Sequence, residues 1–387
     1  MKITDNINYI GVNDYKTDLF ESLYRIPDGM SYNSYLILDE KIAVMDTVDE
    51  KFKEEWLNNI KTLLNGRRPD YLVIQHMEPD HSANIAAFME LYPDTILVSS
   101  APSFTMIKQF FGLTFEKKIL AIEGTTLCLG KHTLHFFAAP MVHWPEVILT
   151  YDDYDKVLFS ADAFGKFGAP TKKGDWISEA RRYYFGIIGK YGAQVQNLLK
   201  KLANIDIKVI CPLHGPILDE HPDYYFDLYQ TWSSYEPETK GIFVAYTSVY
   251  GNTKKACELL AEKLYALGCP KVVLSDLSRS DLSECVAAAF RYNTLVLAST
   301  TYNSGIFPTM HTFLSQLLEK NFQNRSIALI ENGTWMPAVI KTMKSMLSAC
   351  PNLTFAENEV HIRSALNEDS LLALDTLATE LFDISMQ

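Results

Sequence analysis

A chain of 387 residues, 48% hydrophobic and 21% charged, is long enough for two or three domains and too apolar to remain disordered. Its formal charge of -12 offers no basic face to a phosphate backbone, so nucleic acid is not an expected partner. No run of about 18 apolar residues occurs and the N-terminus lacks a signal-peptide core, so no membrane span is expected and a cytoplasmic location is.

Residues 1–240 mix short strands with helical patterns. SYNSYLILD, IAVMD, YLVIQ, TILVSS, LHFFAA, VILTYDD, KVLFSAD and KVICP read as strands, and EEWLNNIKTLL, NIAAFMELY, FTMIKQFF and AQVQNLLKKLA as helices. This grammar predicts a mixed α/β layer structure. The stretch QHMEPDHSANI (75–85) packs His76, Glu78, Asp80 and His81 into six residues. Pro79 in its middle argues against a helix and predicts a loop at the end of YLVIQ. In extended chain His76 and Glu78 point the same way, while Asp80 and His81 turn toward a second point. One loop can therefore serve two neighbouring metal ions; the plain alternative is a solvated acidic turn. Three further strands each run into one ligand-type residue: His143 in LHFFAAPMVHWPE, Asp162 in KVLFSADAFGKFG and His214 in KVICPLHGP. Four histidines and three carboxylates suffice for two metals sharing a carboxylate, with positions open to water or substrate. His132, His135, His221, His311 and His361 lie outside this pattern and read as structural or surface residues. The six cysteines form no C-x-x-C pair, which argues against a zinc ribbon or an iron–sulfur cluster.

After SSYEPETKG the pattern becomes strict β/α alternation, from IFVAYTS to the helix SLLALDTLATELF. Residues 241–387 are thus predicted to form a doubly wound, five-stranded parallel sheet. In TSVYGNT, residues Thr247, Ser248, Val249, Tyr250, Gly251, Asn252 and Thr253 join the first strand to the first helix. Gly251 lets the backbone approach a ligand, and N–H groups at a helix start bind phosphate. The P-loop pattern is absent, so a nucleoside triphosphatase is not expected.

The ordered pattern H-x-E-x-D-H followed by a later H, D and H resembles the metallo-β-lactamase superfamily over most of residues 30–220, which implies an αββα sandwich. Hydrolases of that superfamily usually carry histidine where this chain has Glu78. A carboxylate there adds charge and a harder oxygen ligand, which favours iron over zinc. Residues 241–387 resemble flavodoxin. Thr247–Thr253 look like its FMN phosphate loop. STTYNSGIFP, with Ser299, Thr300, Thr301, Tyr302, Asn303 and Gly305, and ENGTW, with Asn332, Gly333, Thr334 and Trp335, resemble the loops beside the flavin ring.

The two halves together resemble the flavodiiron proteins over nearly the whole chain. The resemblance implies FMN and two non-haem Fe ions, one held by His76, Glu78 and His143, the other by Asp80, His81 and His214, with Asp162 bridging. Tyr191 resembles a tyrosine near the family's diiron pocket. The implied reaction is reduction of O2 to water and/or of NO to N2O. The implied partners are a separate electron donor, such as rubredoxin or reduced F420, and a second copy of the chain in a head-to-tail homodimer or dimer of dimers. The runner-up, a metallo-β-lactamase-type hydrolase with a flavodoxin-like interaction module, leaves the flavin without a task.

Overall fold

Turn residues interrupt the apolar runs of the first half every few positions, so its strands are short and its sheets are built from many of them. The computed structural model describes residues 1–170 and 176–386, and divides into two compact units, Met1–Gln230 and Thr231–Gln387. The first unit holds a six-stranded sheet in the order Ile7–Tyr9, Tyr35–Leu38, Ile42–Met45, Tyr71–Val73, Ile96–Ser99, Lys118–Leu120, and a five-stranded sheet in the order Thr126–Cys128, Thr133–Ala138, Ile148–Asp152, Val157–Phe159, Val209–Cys211. Alternation decides their packing. Ile37, Val73 and Val98 of one sheet share a buried core with Leu134, Phe136 and Phe159 of the other. The neighbouring residues Leu36, Val44, Leu72 and Leu97 point the opposite way, onto Trp56, Ile60, Phe88 and Ile107 of helices. These are the layers of a metallo-β-lactamase-like sandwich.

Two local expectations are corrected. SYNSYLILD is not one strand: Asn33 and Ser34 separate Met30–Tyr32 from Tyr35–Leu38. The Asn33 amide instead donates to Pro212 O and Gly215 O at 2.8 and 2.9 Å, which ties this break to the His214 loop. Pro79 does not exclude a helix either. It opens one, Pro79–Ser82, because a proline in the first turn needs no N–H partner and brings a fitting φ.

The second unit is a parallel sheet in the order Val272–Asp276, Thr239–Tyr246, Tyr292–Tyr302, Ser326–Asn332, then a fifth strand. That strand is broken. Thr354–Phe355 pairs with one end of Ser326–Asn332 and Val360–Ile362 with the other. Helices Asn252–Ala266 and Glu368–Met386 cover one face, where Leu260, Leu264, Leu377 and Leu381 meet Val244, Val296 and Ile330. Helices Leu282–Arg291, Pro308–Glu319 and Val339–Leu347 bury Phe290, Phe313 and Met343. This is the doubly wound, flavodoxin-like arrangement, and it brings the ends of Thr239–Tyr246, Tyr292–Tyr302 and Ser326–Asn332 together. No helix among the described residues is long and apolar enough to cross a membrane.

Candidate functional site

In the first unit every ligand-type residue of the pattern comes to one place. His76, Glu78, His143 and Asp162 form one group of converging donor atoms, and Asp80, His81 and His214 form an adjoining one. His76 Nε2 lies 3.2 Å from Glu78 Oε2 and from His143 Nε2. His81 Nε2 lies 3.0 Å from His214 Nε2, and Asp80 Oδ2 is 3.4 and 3.3 Å from those two nitrogens. Asp162 stands between the groups. Its Oδ2 is 2.9 Å from His143 Nε2, while its Oδ1 is 3.4 Å from His81 Nε2.

The supporting residues explain how the loops hold this shape. Asp46, fully buried at the end of Ile42–Met45, accepts the Gln75 N–H at 2.7 Å and the His76 N–H at 3.3 Å. Burial pushes the Asp46 carboxyl up to about 6, against the pull of those hydrogen bonds. Thr47 holds the next turn through His81 O, at 2.9 Å from its hydroxyl. His76 Nδ1 faces Glu146 Oε1 at 2.8 Å, and His214 Nδ1 faces Ser31 O at 2.7 Å. Asp46 and Glu146 went unremarked in the sequence: Asp46 ends the strand IAVMD much as the ligand-type residues end theirs, and Glu146 follows Trp144 and Pro145; what marks both is their burial against His76, which is a spatial signal.

The donor set fits a pair of metal ions. Both oxygens of Asp80 and Oδ1 of Asp162 are buried without a hydrogen-bond partner among the described residues. Orphaned buried polar atoms are rare because each costs about 1–3 kcal/mol. Two imidazole Nε2 atoms facing each other at 3.0 Å cannot both donate, and a cation between them lets each present its lone pair. Charge agrees with geometry. Burial opposes the Asp162 charge, but the four surrounding imidazoles hold it well below the usual carboxylate range. Burial likewise opposes a charged His143, yet its hydrogen bonds with Asp162 and Glu78 push it up to about 9. Imidazole nitrogens mixed with carboxylates, and no thiolate, suit redox iron rather than a structural zinc.

Tyr191 ends the 3-10 turn Gly189–Tyr191 and is half-buried, and its hydroxyl makes no hydrogen bond among the described residues. Tyr183 sits at the cluster. It is fully buried, its ring lies 5.7 Å from that of His214, and its hydroxyl has no partner. Burial and then the Asp162 charge push this phenol well up, so it remains an O–H donor. Glu21, also unremarked, lies at the exposed tip of the hairpin Leu19–Phe20 and Tyr24–Arg25, with φ 49. Desolvation of its carboxyl and the Glu78 charge beside it push it up to about 7.

In the second unit the three expected loops line one cavity of about 490 Å³. Ser248, Val249, Tyr250, Asn252 and Thr253 come from the first loop, Thr300–Asn303 from the second and Asn332–Trp335 from the third. Gly251 has φ 91, which an L side chain adopts only with strain, and the Ser248 hydroxyl accepts the N–H groups of Gly251 and Lys254 at 3.1 and 3.2 Å. The first-turn N–H groups of Asn252 and Thr253, which have no intrahelical partner, are left at the cavity, as a phosphate requires. Thr247 and Ser299 lie beneath, fully buried and 2.8 Å apart, and support the loop without lining the cavity; Gly251 and Gly305 shape its loops rather than line it. Ser304, Met336 and Ser364 line it unexpectedly. Ser364 follows the broken fifth strand and meets Thr334 Oγ1 at 2.8 Å.

Residues 30–215 match the family described as ODP family beta lactamase. The flavodiiron protein of Giardia intestinalis shares the fold, with a TM-score of 0.91 at 24% identity over 100% of this chain and 97% of that one. The nitric oxide reductase of Moorella thermoacetica is 30% identical over 365 residues, which cover 92% of this chain and 91% of that protein. The chain belongs to the flavodiiron protein family. The rubredoxin oxygen:oxidoreductase of Desulfovibrio gigas superposes with a TM-score of 0.91 at 25% identity, over 100% of this chain and 98% of that one. A flavin and a pair of non-haem irons are the cofactors the family name states; the cavity fits the first and the cluster fits the second.

Proposed function

We propose that this chain is an oxidoreductase that reduces O2 to water and/or NO to N2O at two non-haem irons, with electrons relayed through FMN. The observation that carries the reading is Asp162, whose two oxygens face two different ligand groups amid orphaned buried donors. In this reading His76, Glu78 and His143 would hold one iron, Asp80, His81 and His214 the other, and Asp162, placed between the two groups, would serve both. When bound, the iron pair supplies a place where a small diatomic substrate takes up electrons, and the flavin supplies those electrons. The chain's own contribution is orientation and dryness. Asp46 and Glu146 fix His76, Ser31 fixes His214, and Phe20, Phe167 and Tyr183 pack a ring wall beside His214 that limits water. Tyr183 offers one proton at Oη toward the cluster, and this role is assigned to it in place of Tyr191.

Residues 1–240 would form the diiron domain and 241–387 the FMN domain. Ser248, Asn252 and Thr253 would hold the phosphate, with Tyr302 and Trp335 beside the ring. The electron donor is a separate protein such as rubredoxin, or reduced F420, and the working form is a head-to-tail homodimer in the cytoplasm. The relatives are named for reducing nitric oxide or oxygen, which leaves the hydrolase alternative without support. The test begins with iron and FMN content of purified protein, two Fe and one FMN per chain being expected. Anaerobic stopped-flow on the fully reduced protein with O2 and NO separately, with peroxide and N2O measured, then assigns the substrate. Zinc without flavin would overturn the reading. Stoichiometric peroxide release would remove the four-electron route from O2 to water.

A further inference from the structure

The two ligand groups are similar in composition but are not backed alike. Nδ1 of His76 lies 2.8 Å from Glu146 Oε1, which also accepts the Met77 N–H at 2.8 Å. Glu146 is 1% exposed and its other oxygen has no hydrogen-bond partner, so its charge is neither solvated nor shared with a cation of the protein. In the second group His214 is backed by a neutral carbonyl, Ser31 O, and Nδ1 of His81 has no hydrogen-bond partner among the described residues; the buried Asp46 carboxylate acts on His81 only through space, with no hydrogen bond to its ring. Nε2 of His76 faces Glu78 and His143, so its proton resides on Nδ1, toward Glu146, whenever Nε2 serves as a ligand. A carboxylate behind a ligating imidazole raises its basicity, and a more basic ligand favours the more highly charged ion. His143 and Glu146 also sit on one loop, which is anchored by the Ser100 hydroxyl on Glu146 O at 2.7 Å. That loop therefore gives the same group both a ligand and the anion that orients another ligand.

We propose that Glu146 is a positioning residue that makes the metal position of His76, Glu78 and His143 the harder of the two to reduce, so that the first electron settles at the position of Asp80, His81 and His214. The inference rests on the diiron reading above. One electron converts one Fe³⁺ to Fe²⁺, and the two electrons needed by the pair come from one reduced flavin, which is oxidised.

The experiment is a redox titration of the holoprotein, followed by the EPR signal of the half-reduced iron pair, on the unmodified chain, Glu146→Gln and Glu146→Asp. Glutamine keeps an acceptor for the His76 N–H and removes the charge. The expected result is that Glu146→Gln raises the lower of the two one-electron potentials by at least about 59 mV, a roughly tenfold change in that equilibrium, while the higher one stays. The half-reduced signal then spans a narrower range of potential, and Glu146→Asp restores part of the gap. Two bound irons with both potentials unmoved, or both moved equally, would overturn the proposal. Should Glu146→Gln lose one iron, a retained ion with the unmodified chain's higher potential supports the proposal, and one with the lower potential overturns it. Loss of both irons from both variants also overturns it, because Glu146 would then be a scaffold for the whole cluster. If the unmodified chain itself takes up no iron pair, the diiron reading falls, a result distinct from any failure of the Glu146 variants.

Discussion

The two units solve opposite problems of desolvation. In the first, Asp162, His76, His81 and His214 have no exposed surface, and their charges are tolerable only because ligand-type groups of opposite character converge on them. In the second, the cavity is rimmed by Tyr250 and Trp335, 93% and 75% exposed, and its floor offers helix N–H groups and hydroxyls rather than charges. A cation pair needs fixed, buried, formally charged donors. A flavin phosphate needs a backbone terminus that stays open until the ligand arrives. The two sites should therefore fail separately, and by different amounts.

The largest effect is expected at Asp162. Asp162→Ala removes the one carboxylate that faces both groups, and iron content should fall from two per chain to less than one, with loss of O2 and NO reduction. FMN content should not change, because the second unit has its own core. Metal analysis with flavin absorbance checks this; a variant retaining two irons and normal turnover would remove Asp162 from the bridging role. Thr253→Ala tests the other side. Thr253 is buried at the helix start, and losing its hydrogen bond to a charged phosphate should cost roughly 1.5–3 kcal/mol, about ten- to a hundredfold in FMN affinity. Iron content should be unchanged, and a normal FMN dissociation constant by fluorescence titration would place the phosphate elsewhere. Ser364→Ala should weaken FMN by only a few-fold, since the lost Ser364–Thr334 contact is a neutral, exposed hydrogen bond of about 0.5–1.5 kcal/mol.

The smallest effect sharpens the contrast between histidines inside and outside the cluster. His132 is buried at a hairpin with Nδ1 3.0 Å from Asp152 Oδ1; burial opposes its charge, but Asp152 raises its pKa above 6.5. A folded pKa above the unfolded one gives stability that is complete below about pH 6.5 and is lost as pH rises through the folded value. The stability gap between the unmodified chain and His132→Gln should accordingly shrink with rising pH. Denaturant melts across that range measure it, and a gap that widened would show the pair is not charged.

Much of the site was legible because its chemistry is written in residue type. An imidazole or carboxylate that ends an apolar strand has few reasons to be there, and His76, Glu78, Asp80, His81, His143, Asp162 and His214 all converged. The glycine-marked loop at Gly251 was legible for a similar reason, since its φ of 91 is one that glycine takes without strain. Tyr191 was harder to place because RRYYFGIIGKYG is not a uniform helix. A π-turn over Tyr184–Ile188 and a 3-10 turn over Gly189–Tyr191 shift the register, so the face of a tyrosine cannot be counted from its neighbours. Pro79 misled in the other direction, since a proline signals a break within a helix and a beginning at its first turn.

What the sequence determined by itself was local: strand periodicity, the change to β/α alternation in the second half, the ligand types and their order along the chain. These follow from bonding geometry within a few residues and from the chemistry of single side chains. Tertiary structure alone decided which groups face each other. It split the seven ligand-type residues into two groups around the two oxygens of Asp162. It set an anion behind His76 and only a carbonyl behind His214, and it brought Ser364 to a cavity whose other walls lie 28 or more residues earlier in the chain. Those pairings join residues tens of positions apart, and their energies depend on burial and distance, which exist only once the chain has folded.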